Sequence, residues 1–147
     1  MTPRPRRSPN AAPRSETLSS RETLLFEAGI KLGGVFHQYF GMPVSPATAA
    51  GLARTIERAV ALQPYVASVR VAIDPTAGGP VGRGRFAYRY LSPPMLDVTV
   101  VLADRGTSVE ARLAHEPRLR YPLMRVVRVR AAGRTRRATT ARRSGRT

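Results

Sequence analysis

The feature that most constrains this chain is a change of hydrophobic period near residue 65. Before it, apolar residues recur at spacings of three and four; after it they alternate. From Glu22 to about Tyr39, Leu25, Ile30, Leu32, Val35 and Phe36 fall on a broadly helical pattern. Ser19 or Ser20 is placed to cap that helix, and Gly41-Met42-Pro43 to end it. Ser45-Pro46 reads as an N-cap followed by proline at the first helical position. A second helix then carries Ala49, Leu52, Ala53, Ile56, Ala59, Val60 and Gln63 in one stripe, with Arg54, Glu57 and Arg58 on the other side, and stops at Pro64.

Beyond Tyr65 the chain reads as strands. Val69, Val71 and Ile73 alternate with polar or small residues, and Phe86, Tyr88 and Tyr90 form a short alternating run. Asp74 to Arg85 is rich in Gly and Pro, lacks a phosphate-loop pattern and reads as a flexible loop. Leu96, Val98, Val100 and Leu102 point one way along a strand from Met95 to Ala103. Asp104-Arg105-Gly106 turns it into a partner from Thr107 to Ala114 with Val109, Ala111 and Leu113 inward. A last strand is expected over Val126–Val129. Helices followed by strands predict an α+β fold, two N-terminal helices packed on a mostly antiparallel sheet of four to five strands.

Charge divides the 147 residues further. The net charge is +16, and much of it is terminal. Residues 1–20, with Pro, Ser and Arg and no hydrophobic period, read as a disordered basic leader; residues 131–147, with six Arg and no acid, read as a disordered Arg-rich tail. Residues 21–130 are the expected single domain. All basic residues except Lys31 are arginine. That fits phosphate recognition, but a chain-wide preference for Arg over Lys, solvated tails included, is the simpler account. The absence of cysteine excludes disulfides and thiolate chemistry and suits a reducing cytoplasm. No apolar run approaches the ~20 residues of a membrane span, and no apolar core follows the basic leader as in a signal peptide.

Few residues are equipped for chemistry. His37 and His115 have no partner at metal-ligand spacing, and His115 reads as a solvated strand-end residue. Lys31 can be a Schiff-base lysine or simply the ion partner of Glu27, one turn before it. Glu27, Lys31 and His37 border one wide face of the first helix. Gly29, Gly33 and Gly34 each weaken that helix by roughly 1 kcal/mol relative to Ala, a cost usually tolerated where a backbone or ligand presses close. Gln63 puts an amide where the stripe calls for an apolar residue; backbone carbonyls or a ligand can satisfy it. No metal or cofactor is expected.

The blocks FEAGIKLGGVFHQYFG, PVSP, ALQPYV, MLDVTV and YPLM, in that order, resemble the archaeal dihydroneopterin aldolase family of methanopterin biosynthesis over about residues 24–129. The resemblance implies a small α+β subunit assembled as a homotetramer. It also implies a retro-aldol cleavage of a pterin substrate, 7,8-dihydroneopterin, to 6-hydroxymethyl-7,8-dihydropterin and glycolaldehyde, without metal or Schiff base. By the same resemblance Glu27 grips the pterin, His37 and Gln63 orient its hydroxyls or a water, Gln63 also contacting substrate, and Tyr121 is the general acid/base. A site between subunits is expected, with Tyr121 reaching Glu27 of a neighbour. The alternative is an Arg-tailed protein that binds RNA or another polyanion on the same fold.

Overall fold

The computed structural model describes residues 17–131. Apart from 17–20 and 131, the expected leader and tail lie outside the described residues.

Helix α1 (Ser20–Tyr39) begins with a reciprocal cap. The Glu22 N–H donates to Ser19 Oγ at 3.2 Å, and the Ser19 N–H donates to Glu22 Oε2 at 2.8 Å. Ser20 Oγ also donates to Asp104 Oδ2 at 2.8 Å, pinning this end to the later hairpin. The helix buries Leu24, Ala28, Lys31, Leu32 and Val35. At its other end Gly41, with φ of 89°, turns the chain, and its N–H donates to the Leu91 carbonyl at 2.9 Å. The pair β1 (Pro43–Val44) and β3 (Arg89–Tyr90) closes this corner as a small antiparallel sheet.

Helix α2 (Ala49–Ala61) starts later than Ser45-Pro46 suggests. The Ser45 carbonyl accepts the Thr48 and Ala49 N–H groups, and the Ser45 N–H donates to Thr48 Oγ1 at 2.9 Å. Ser45 therefore opens a capped turn, and the regular helix follows it. Ala49, Ala53, Ile56 and Val60 bury the expected stripe. Glu57, expected on the solvent side, is half-buried and accepts the Val71 N–H at 2.8 Å, which covers part of a sheet edge.

The main sheet has the order β2–β4–β5–β6 and is antiparallel throughout: β2 (Val66–Ile73), β4 (Leu96–Asp104), β5 (Thr107–Glu116) and β6 (Tyr121–Arg130). Leu96, Val98, Val100, Leu102, Val109, Ala111 and Leu113 are buried beneath the helices, as their alternation predicts. Helix α1 lies over β4 and β5, and α2 over β2, so β6 is an edge strand with little helix above it.

Further expectations change. The run Phe86 to Tyr90 is a strand only at Arg89–Tyr90, because Phe86 and Ala87 belong to a turn in which the Ala87 N–H donates to the Gly84 carbonyl. The loop before it is tied down: Arg89 Nη1 donates to the carbonyls of Ala77 and Gly79 at 3.0 and 2.9 Å. The last strand starts at Tyr121, not Val126, and draws β5 out to Glu116 by pairing with it. His115 thereby becomes a half-buried ladder residue opposite Pro122, and its Nδ1 is buried with no hydrogen-bond partner among the described residues.

Candidate active site

Glu27 and Lys31 form the best-defined polar feature of the helical layer. The Lys31 Nζ donates to Glu27 Oε2 across one helical turn, an ion pair as the spacing allows. Lys31 is only 3% exposed, the one charged residue that is buried among the described residues, while Glu27 keeps partial access to solvent. A cation this deep needs its anion, so the carboxylate is held in place before any ligand arrives. Oε1 is left free of that contact, and each carboxylate oxygen has two acceptor positions.

The surroundings of Glu27 are open. A Cβ added to Gly29, Gly33 or Gly34 would meet no described atom within 4 Å. The expected close approach is thus not made by any described residue outside the local helix backbone, and Gly29 is exposed while Gly33 and Gly34 are half-buried. Phe26 and Ile30 are 68% and 47% exposed. His37 is also exposed, near the helix end, with its ring edge-on to Phe36 at 5.2 Å. Ten residues separate it from Glu27, about 15 Å along the axis.

Gln63 lies just past α2, which closes at Ala61 rather than carrying the stripe through another full turn. Its N–H donates to the Val60 carbonyl at 3.0 Å. Tyr65 then takes φ of 68°, a left-handed conformation unusual for an aromatic residue, and its carbonyl accepts the Ala103 N–H at 2.9 Å. This strained turn fixes the Gln63 backbone at the hairpin end of the sheet. The half-buried amide forms no hydrogen bond with a described residue, so backbone carbonyls do not satisfy it.

Tyr121 lies at the opposite corner. Val66, just after Gln63, shares a level with Leu102, Val109 and Val129, whereas Tyr121 pairs with Glu116 at the far end of β6. Three strand spacings across and seven or eight residues along separate the two corners by roughly 30 Å. Tyr121 also shares its face with Glu116, the face turned away from the helices, and is 58% exposed. One chain therefore unites Glu27 with Lys31 and keeps Gln63 and Tyr121 apart. The groove of about 570 Å³ between α2 and β2, lined by Ala53, Glu57, Val71 and Ile73, contains none of the four proposed residues.

Lys31 is the residue beside Glu27 whose depth the sequence concealed; its place in the apolar pattern, one before Leu32, was the available signal. Among the described residues no group of three His, Asp or Glu side chains is gathered as for a metal ion, and no helix is long and apolar enough to cross a membrane.

An open-faced α+β subunit with a fixed carboxylate on its first helix is the class that fold and site define. The comparisons narrow it. The family model for dihydroneopterin aldolase matches residues 19–127. A dihydroneopterin aldolase of Methanopyrus kandleri is 42% identical over 113 residues, covering 77% of this chain and 92% of that protein. One from Picrophilus torridus is 38% identical over 99 residues, covering 67% of this chain and 80% of its own length. A crystal structure of a Picrophilus torridus protein superposes with a TM-score of 0.68 at 34% identity, covering 75% of this chain and 88% of that one. The chain belongs to the dihydroneopterin aldolase family.

Proposed function

We propose that this protein is a dihydroneopterin aldolase whose active site is completed by a second copy of the chain. Family membership and the prepositioned Glu27 support the reaction. The observation that carries the shared site is the separation of Gln63 and Tyr121 at diagonal corners of one sheet. The exposed apolar residues on α1 and on β6, Phe26, Ile30, Met124 and Val126, offer surface for such an association.

In this reading Glu27 accepts hydrogen bonds from the pterin amino group and an adjacent ring N–H, a charge-assisted bidentate grip. Lys31 keeps the carboxylate oriented without touching the ring. Tyr121, from the neighbouring copy, acts as general base and acid. A proton leaves the hydroxyl on the second side-chain carbon, and that carbon becomes the glycolaldehyde carbonyl as its bond to the first side-chain carbon breaks. The bonding electrons enter the ring C=N group conjugated with the first carbon. Reprotonation at that carbon gives 6-hydroxymethyl-7,8-dihydropterin. Gln63 and His37 orient the hydroxyls or a water that relays the proton. The ring is the electron sink, so the chemistry requires neither a metal nor an imine on Lys31, whose ammonium is committed to Glu27.

The test is release of glycolaldehyde from 7,8-dihydroneopterin by the purified full-length protein, with EDTA and borohydride arms. Turnover unaffected by either is expected. No turnover of the pterin overturns the function; loss on chelation, or trapping by borohydride, overturns the mechanism.

A further inference from the structure

The sheet face turned away from the helices carries cations that the aldolase reading does not use. Arg70, Thr99, Arg112 and Arg125 are successive cross-strand partners through β2, β4, β5 and β6. Arg112 and Arg125 are directly opposite each other, a like-charge pairing that weakens an antiparallel ladder. Nearer the hairpin, Arg128 stands opposite Glu110, and Arg130 opposite Ser108.

Two acids offset part of this charge. Asp97 binds Arg112 at both oxygens, with Nε to Oδ1 at 2.9 Å, and Glu110 faces Arg128. Arg70, Arg125 and Arg130 have Thr99, Arg112 and Ser108 as ladder partners, and their side chains form no hydrogen bond or ion pair with any described residue. All three are exposed. The next acid on this face, Glu116, lies at its far end and accepts the Arg118 N–H. Shallow grooves of about 320 and 180 Å³ cross the patch, the first bordered by Arg70, Arg112 and Arg125, the second by Arg128 and Arg130, with Val127 and Val101 in their floors.

The surplus cations span three strand spacings, about 14 Å, in one direction and roughly 17 Å along β6 in the other. That is too wide for one phosphate. A second copy placed face to face would set arginine against arginine. Planar guanidinium forks suit phosphate oxygens, and the valines between them suit sugars and base edges. Inorganic polyphosphate packs its charges more densely than cations spread over such a distance. With no aromatic side chain between the arginines to stack a base, contact would run through the backbone and be indifferent to sequence. We propose that this face binds single-stranded nucleic acid through several successive phosphates, independently of the aldolase site.

The test uses the full-length chain and a fluorescent single-stranded oligonucleotide, with affinity measured across a salt series. The face variant Arg70→Gln/Arg125→Gln/Arg130→Gln is compared with Arg58→Gln/Arg83→Gln/Arg85→Gln, which removes the same charge elsewhere from exposed positions. Thermal unfolding confirms that both are folded. Loss of three phosphate contacts lowers the slope of log K against log salt by about 2 for the face variant, while the control keeps the wild-type slope. The oligonucleotide also raises the melting temperature of wild type and control more than that of the face variant. Equal behaviour of the two variants, no binding by wild type, or binding of inorganic polyphosphate without the oligonucleotide each overturns the proposal.

Discussion

Lys31 reaches back one turn to Glu27 from a position that is almost completely buried, so the first helix holds its carboxylate with an internal cation. Removing that cation leaves a partly buried anion and a cavity. Lys31→Ala is expected to lower stability by about 3 kcal/mol, the lower end of the range for broken buried pairs because Glu27 remains partly solvated. Lys31→Met retains most of the stem's packing and is expected to lose less. Urea unfolding of the two variants measures the difference; equal, small losses would show that the pair contributes little.

Tyr121 lies on an exposed edge strand, so its hydroxyl can be removed with little structural consequence. Tyr121→Phe is expected to lower kcat by about 10²–10⁴-fold with a much smaller effect on KM, the signature of a lost proton carrier. Its unfolding midpoint should match wild type. Near-normal turnover would remove Tyr121 from the mechanism.

Much of this arrangement was legible in the sequence, because it rests on burial. The Leu96-Val98-Val100-Leu102 alternation identified β4 and its inner face, and the Ala49-to-Val60 stripe identified α2. What stayed hidden depends on pairing between distant segments. His115 looked like a strand end because nothing local reveals that Tyr121-Pro122 pairs with His115-Glu116. Glu57 looked solvent-facing because its partner, the Val71 N–H, belongs to another element. The arginine row emerges only when four strands are in register. For the candidate site, the sequence supplied only proposed residues, and the separation of Gln63 and Tyr121 within one chain required the sheet topology.

Two surface carboxylates give the fold an acid-sensitive component. Glu22 lies below its ordinary value of 4.5, chiefly through the Ser19 N–H and then the Ser19 hydroxyl. Asp74 lies below 3.8 through the Thr76 hydroxyl and N–H. A depressed folded-state value means that the contribution is fully present above the unfolded value and is lost as pH falls through the folded one. Glu22→Gln and Thr76→Ala are therefore expected to flatten the fall of stability below about pH 4.5 and pH 3.8 respectively, while leaving its pH dependence near neutrality unchanged. Urea midpoints measured from pH 7 to 2 check this. An unchanged acid limb in both variants would contradict it.

The shared-site proposal makes a demand that no single-chain site makes. If Glu27 and Tyr121 act from different copies, Glu27→Gln and Tyr121→Phe disable opposite halves of each composite site. Mixed assemblies then contain some sites with both lesions and some with neither. Co-expression, or mixing after reversible dissociation, should restore activity well above either variant alone. Glu27→Gln also leaves Lys31 without its anion, so the assay belongs below that variant's unfolding midpoint. A chain carrying both substitutions, mixed with wild type, provides the converse control, since every site shared between a wild-type and a double-mutant chain then carries one lesion and mixing restores nothing. Absence of complementation in assemblies shown to be mixed, or full activity in a monomer, would place the whole site within one chain and contradict the roughly 30 Å separation of Gln63 and Tyr121 derived from the sheet.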